Sequence, residues 1–222
     1  MGNASVKQRL VVHVTVSSLF QENAFVLHRE GSNAAVIVDP GLEPGRIIRF
    51  IEDEALHVLA ILNTHGHADH IAGNAALKKR FPDAELIIGK HEAHKLTDAE
   101  ANLSMAFGMA IESPPADRVV EDGDELALDG LLFRVLHVPG HSPGHVAYLW
   151  EAEGYVPEAF VGDIIFAGSI GRTDFPDGDH EALLRGIREK IYTLPDETIL
   201  HPGHGPDTTV GEERRTNPFV RG

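Results

Sequence analysis

Residues 63–74 read NTHGHADHIAGN and place His65, His67, Asp69 and His70 within six positions. Packing gives no reason for such a density of imidazole and carboxylate. Together they form a donor set that divalent metals take. The run VLAILNT at 58–64, just upstream, is continuously apolar and of strand length, as expected of a strand buried on both faces. A helix is predicted at about 71–80. The cluster therefore sits on the loop beyond a strand's carboxyl end, where α/β sheets place their ligands.

Further from the cluster, segments 9–16, 24–29 and 34–38 are rich in Val and Ile and predict strands, with EGSN at 30–33 as a turn. DPGLEPGR at 39–46 breaks that pattern. RIIRFIEDEAL at 46–56 sets Ile47, Ile48, Ile51 and Leu56 at helical spacing. Downstream, AELII at 84–88 predicts a strand, while 91–110 is helical in composition but interrupted by Gly108 and without a clean amphipathic face. After SPPAD the strand-and-turn pattern restarts, with strands predicted at 125–129, 131–138, 145–150 and 159–162. DHEALLRGIREKIYTL at 179–194 predicts a helix capped by Asp179, and TIL at 198–200 a last short strand. Two strand-rich halves that each carry helices suit a two-sheet sandwich better than one open sheet, though composition does not choose between them.

Three more segments repeat the logic of the first. HVPGHSPGHV at 137–146 offers His141, FVGDIIFAGS at 160–169 offers Asp163, and ILHPGHGPDT at 199–208 offers His204. Each follows a predicted strand and is flanked by Gly or Pro, which fix a loop and permit close approach of a ligand. One histidine after a strand is commonly an exposed or capping residue, and Asp163 alone is a weak turn signal. Combined with the dense cluster, the segments argue for a metal site. His13, His28, His57, His137 and His180 lack partners at useful spacing. His91 and His94 share a face at i, i+3 and read as solvated. His145 and His201 lie near the site in sequence and are candidates for orienting ligands through hydrogen bonds.

Composition narrows the chemistry. The 222 residues contain no cysteine, which excludes disulfides, thiolate metal sites and a cysteine nucleophile. Imidazoles and carboxylates suit zinc, manganese or iron. A formal charge of −15 speaks against a nucleic-acid partner. No apolar run is long enough to cross a bilayer, so no membrane partner is expected. The start MGNASVKQRL has no hydrophobic signal core and reads as cytoplasmic; Ser5 stands one position too early for a myristoylation pattern.

His-x-His-x-Asp-His, then a lone His, a lone Asp and a lone His, resembles the metallo-β-lactamase superfamily over nearly the whole chain. The resemblance implies an α/β fold, a four-layer αββα sandwich, over a single domain spanning 1–222. It also implies two divalent metal ions, zinc first and iron or manganese as alternatives. By position, His65, His67 and His141 would bind the first metal, and Asp69, His70 and His204 the second. Asp163 would bridge both, with Asp69 and Asp163 as the catalytic carboxylates.

GDIIFAGSIGRTDFPDGD at 162–179 and RRTNPFV at 214–220 are similar to the glyoxalase II group, the hydroxyacylglutathione hydrolases, and above all to their short bacterial relatives. That likeness implies hydrolysis of a small-molecule thioester such as S-lactoylglutathione by a metal-bridging hydroxide, with Arg172 meeting a glutathione carboxylate. Two departures stand out. Only 18 residues follow His204, too few for the C-terminal helical domain that helps full-length members bind glutathione. The tyrosines expected after the basic residue and after the last histidine are missing, with Asp174 and Pro206 nearby instead. A site open to several thioesters is the expectation. The alternative implied by GRTDF at 171–175 is a mononuclear iron persulfide dioxygenase acting on glutathione persulfide. Oligomeric state is not legible.

Overall fold

The computed structural model describes residues 9–221, in which strands β1 (Leu10–Val16), β2 (Asn23–Arg29) and β3 (Ala34–Val38) lead into helix α1 (Pro44–Asp53). Strand β4 (His57–Asn63), the short helix α2 (Ala68–Ile71), α3 (Asn74–Arg80), β5 (Glu85–Gly89) and β6 (Arg118–Val120) complete the first half. The second half holds β7 (Glu125–Leu128), β8 (Leu131–His137), β9 (Val146–Trp150), β10 (Glu158–Gly162) and a small hairpin of β11 (Ile165–Phe166) and β12 (Ser169–Ile170). Helix α4 (His180–Gly186), β13 (Ile199–Pro202), β14 (Thr208–Thr209) and α5 (Val210–Thr216) follow. Two six-stranded sheets result, ordered β1-β2-β3-β4-β5-β6 and β14-β13-β10-β9-β8-β7. β3, β4, β5 and β6 run parallel, as do β10 and β13, and the other neighbouring pairs are antiparallel.

The layering follows from the two-residue period of a strand. In β3, Val36 and Val38 enter a core shared with Phe133, Val135, Tyr148 and Phe160 of the second sheet, while Ala35 and Ile37 face Ile47, Ile51 and Leu77 of α1 and α3. In β9, Val146, Tyr148 and Trp150 join the inter-sheet core, and Ala147 and Leu149 face Leu183 and Leu184 of α4. Both faces of each central strand are thus covered, which explains why AAVIV and VAYLW carry no polar alternation. Three apolar cores between four layers make the αββα sandwich that the ligand pattern implied. No helix among the described residues is long and apolar enough to span a membrane. The myristoylation reading at Gly2 and Ser5 lies outside the described residues.

Several boundaries differ from the sequence expectation for identifiable reasons. The helix predicted over 46–56 spans Pro44–Asp53: proline opens it, and Ala55 turns the backbone to a φ of 51°. The segment 91–110 is not a helix but two short 3₁₀ turns, Ala93–Thr97 and Ser104–Phe107. There Asp98 and Asn102 side chains take up backbone groups: Asp98 accepts from the Glu100 and Ala101 N–H, and Asn102 binds the Lys95 and Ile111 carbonyls and the Ser104 N–H. Such local bonds compete with a helical ladder. The expected helix over 179–194 begins as predicted, Asp179 accepting from the Ala182 N–H at 2.9 Å, but after α4 it widens into a π-turn over Ile187–Ile191. The Tyr192 N–H reaches the Ile187 carbonyl five residues back, so both side chains join the same core.

Candidate metal centre

Five of the seven candidate ligands stand just past a strand: His65 and His67 after β4, His141 on the loop after β8, Asp163 directly after β10, and His204 after β13. Asp69 and His70 occupy α2, whose single turn sets them beside the loop that begins it. At Asp163 the parallel pairing of β10 and β13 slips between Phe160 and Gly162, and such irregularities re-aim the residue that follows. Gly203 lets the last loop come close, since a Cβ there would stand 2.4 Å from Asp163 Oδ1.

The ligand atoms converge in overlapping groups, His65–His67–His141, His65–His70–Asp163 and Asp69–His70–His204, each within 4.8 Å. In the first group His65 Nε2, His67 Nδ1 and His141 Nε2 lie 2.9–3.3 Å apart. A tetrahedral zinc, with Zn–N of about 2.0–2.1 Å, spaces its nitrogens about 3.3–3.4 Å apart. In the last group His204 Nε2 is 3.4 Å and His70 Nε2 3.8 Å from Asp69 Oδ2. Asp163 stands between the groups: Oδ2 is 3.6 Å from both His141 Nε2 and His204 Nε2, and Oδ1 is 3.5 Å from His70 Nε2.

Outward hydrogen bonds fix which imidazole nitrogen faces inward. His141 Nδ1–H donates to the Arg172 carbonyl at 2.9 Å, and His70 Nδ1–H to Asp39 Oδ2 at 2.9 Å. His65 Nδ1–H meets Thr64 Oγ1 at 3.1 Å, whose own hydroxyl donates to Asp39 Oδ2. The Nε2 lone pairs of all three histidines therefore point at one another or at Asp163. His70 Nε2 and Asp163 Oδ1 are fully buried without a hydrogen-bond partner. Converging lone pairs and unpartnered buried donor atoms are unfavourable alone and fit a cation between them.

Electrostatics separates the two ends of the centre. Burial, and then the neighbouring imidazoles, hold His65, His67 and His145 well below the usual histidine range; burial also lowers His141, against the pull of Asp163. A lowered pKa favours the neutral imidazole, the form that offers a lone pair. At the other end burial opposes protonation of His70, yet Asp69, Asp163 and Asp39 outweigh it and raise its pKa; His204 is raised in the same sense, chiefly by Asp69. Asp69 is lowered, His70 and His204 overcoming burial. The carboxylate-rich end thus draws positive charge, as proton or metal.

Much of the frame around these ligands was not foreseen from sequence. Asp39, read only as part of a breaker, holds the Thr64 N–H at 2.8 Å as well as the Thr64 hydroxyl and His70. Glu92 is fully buried: Oε2 accepts the Gly66 N–H at 2.8 Å, and Oε1 accepts the Ser142 hydroxyl at 2.6 Å and the Gly144 N–H at 2.7 Å. One carboxylate therefore ties the His65–His67 loop to the His141 loop. Lys95, also buried, donates to Ser142 Oγ at 2.6 Å and pairs with Asp177 Oδ2 at 2.6 Å and Glu92 Oε2 at 3.7 Å. His91 and His94, on the same segment, are exposed as expected. Asn23 fixes the His204 loop through the Pro202 and Gly205 carbonyls, both at 2.9 Å. Glu22 is buried with neither oxygen hydrogen-bonded, and burial, with Asp39, Asp69 and Asp163 nearby, pushes its pKa well up against the pull of His70.

His145 does reach two candidate ligands, accepting the Asp163 N–H at 3.0 Å and stacking on His65 with ring centres 4.6 Å apart. His201 touches no candidate ligand; it bridges Glu158 at 2.9 Å and Asp207 at 3.0 Å and stacks on Phe160. The centre forms the floor of a cleft of about 360 Å³ that Arg172 also lines. The Arg172 guanidinium is held by both Asp174 oxygens, at 2.7 and 2.8 Å, and lies over Phe175 at 4.5 Å.

Comparison with known proteins adds independent findings. The family model of the metallo-beta-lactamase superfamily matches residues 18–204. Hydroxyacylglutathione hydrolase GloC of Haemophilus influenzae is 41% identical over 212 residues, covering 94% of this chain and 97% of that protein. The crystal structure of BLEG-1 B3 metallo-beta-lactamase superposes with a TM-score of 0.89 at 39% identity, covering 96% of this chain and all of that one. TTHA1623 in a di-iron-bound form superposes with a TM-score of 0.80 at 40% identity, covering 94% and 100%.

Proposed function

The chain belongs to the metallo-β-lactamase superfamily and is a metallo-hydrolase of that family, and on this premise we propose that it cleaves thioesters such as S-lactoylglutathione at a two-metal centre. His65, His67 and His141 would hold one cation and Asp69, His70 and His204 the other, with Asp163 placed to serve both. The position of Asp163 carries this reading: one oxygen stands equally far from His141 and His204, in different groups, while the other faces His70. Zinc suits the donor set, and the di-iron relative keeps iron in view.

When bound, a pair of divalent cations lowers the pKa of a water to about 7 and neutralises charge developing on a carbonyl oxygen. The chain's own residues supply orientation. Asp39, Thr64 and the Arg172 carbonyl keep protons on the outward imidazole nitrogens, so the lone pairs stay turned inward. Asp69 and Asp163 offset the cationic charge. In the reaction, hydroxide adds to the thioester carbonyl carbon and the C–S bond breaks with its electron pair on sulfur, giving a carboxylate and a thiol. A thiol of pKa about 8.5 departs as thiolate, so no side chain need deliver a proton to it. To meet a substrate carboxylate, Arg172 would have to release Asp174.

A second reading, the mononuclear iron persulfide dioxygenase, is favoured by the His65–His70–Asp163 group, two imidazoles and a carboxylate within 4.8 Å, the donor set of non-haem iron oxygenases. Metal content separates the two: one iron per chain with oxygen uptake would displace the hydrolase. The primary test is steady-state turnover of S-lactoylglutathione and simpler thioesters by metal-loaded protein, with nitrocefin alongside because a 39% identical relative is a B3 metallo-β-lactamase. Thioesters are expected to be turned over faster than nitrocefin. No turnover of any thioester ends the proposal.

A further inference from the structure

The cleft above the metal centre has walls of one character. Phe20, Leu103, Phe107, Phe166, Ile170 and Phe175 form its sides, contributed by three separate segments. Phe20 and Phe107 meet edge to face at 5.4 Å across two loops, and Phe107 keeps 60% of its surface exposed. Leu19 and Met105 beside them are 67% and 51% exposed. A contiguous apolar rim on a chain of net charge −15 marks a binding surface.

The polar groups of the cleft are already engaged. Apart from the candidate ligands, the polar lining residues are Asn102 and Arg172. The Asn102 amide gives its NH₂ to the Lys95 and Ile111 carbonyls and its oxygen to the Ser104 N–H. Arg172, outside the candidate ligands, has its charge met by Asp174 and its face covered by Phe175. Glutathione brings two carboxylates and an ammonium. The nearest guanidinium, Arg172, already shares Nε and Nη2 with Asp174, so either carboxylate would have to compete with Asp174 for it. An apolar arm loses nothing and covers the rim.

We propose that the preferred substrates are thioesters whose leaving thiol carries an uncharged, apolar arm, aryl or alkyl, seated between Phe20, Phe107 and Phe175. This rests on the thioesterase reading for the reacting bond but not for the binding preference. The test therefore measures binding without turnover. Metal-loaded protein is titrated by NMR with two non-hydrolysable thioethers, benzyl 2-hydroxypropyl sulfide and S-(2-hydroxypropyl)glutathione. The benzyl compound is expected to bind about tenfold tighter or more. Phe107→Ala, an exposed site where folding is not at stake, is expected to shrink that ratio about fivefold. Equal or tighter binding of the glutathione compound, undetectable binding of the benzyl compound, or a ratio unmoved by Phe107→Ala overturns the proposal. If the benzyl compound binds as expected while no thioester is hydrolysed, the reaction assignment falls and the apolar-arm preference stands.

Discussion

Glu92→Gln is the sharpest probe of how the centre is held. The substitution keeps shape but replaces one acceptor oxygen with an NH₂ group. Glu92 accepts three hydrogen bonds, from Gly66, Gly144 and Ser142, so at least one buried donor would then face another donor. Lys95 loses its nearest buried counter-charge but keeps Asp177 at 2.6 Å. Breaking a buried pair costs about 3–5 kcal/mol and an unsatisfied group about 1–3; with Asp177 retained, a loss of about 2–4 kcal/mol is expected. At this chain length that lowers Tm by roughly 5–15 °C. Because the same carboxylate joins the His65–His67 loop to the His141 loop, chelator competition should show metal affinity falling about 10–100-fold. Thermal melting of metal-stripped protein reads the first effect alone. A Glu92→Gln protein that melts within about 2 °C of the parent and competes for metal equally well would refute the linkage.

Other outcomes follow from the same geometry. Asp163→Ala should abolish hydrolysis and lower metal content by elemental analysis while circular dichroism stays that of the parent; surviving activity would point to another site. Asp174→Ala frees the Arg172 guanidinium and should lower KM for S-lactoylglutathione severalfold, whereas an unchanged KM would mean that Arg172 does not reach the substrate. His201 has its pKa raised: burial opposes the proton, but Asp207 and Glu158 outweigh it. The folded state then holds that proton longer than the unfolded chain, whose histidine titrates near 6.5. Its stabilisation is complete below that value and fades as pH rises through the folded pKa. Urea titrations from pH 6 upward should show the advantage of the parent over His201→Gln shrinking with pH; a gap that widens would reverse the assigned sign.

The converging donor set was legible because its members lie on or next to segments that end an apolar run, and both signals are local. The strands were legible for the same reason. The supporting frame was not. Asp39 lies in DPG, where a turn accounts for it fully, and Glu92 and Lys95 look like surface charges in a segment of helical composition. Their burial arises from contacts 47 to 52 residues away, with Ser142 and Gly144, and no periodicity reports such pairing. The π-turn after α4 escaped because a shift from four to five residues leaves composition untouched. Helix α5 did leave a trace: Thr209 accepts the Glu212 N–H at 3.2 Å, the Thr-x-x-Glu pattern of a helix start, too short a signal without its apolar face.

Each of the converging groups draws two members from loops of the first sheet and one from the second. A cation held there acts as a clasp between the two halves of the chain, closing only when they have docked in register. Occupancy then reports on the seam between the sheets as much as on the chemistry above it, and loosening that seam anywhere along its length weakens the grip on the ion. Variants that never approach the cleft, in the apolar layer shared by Val36, Phe133 and Tyr148, should therefore leak metal before they unfold.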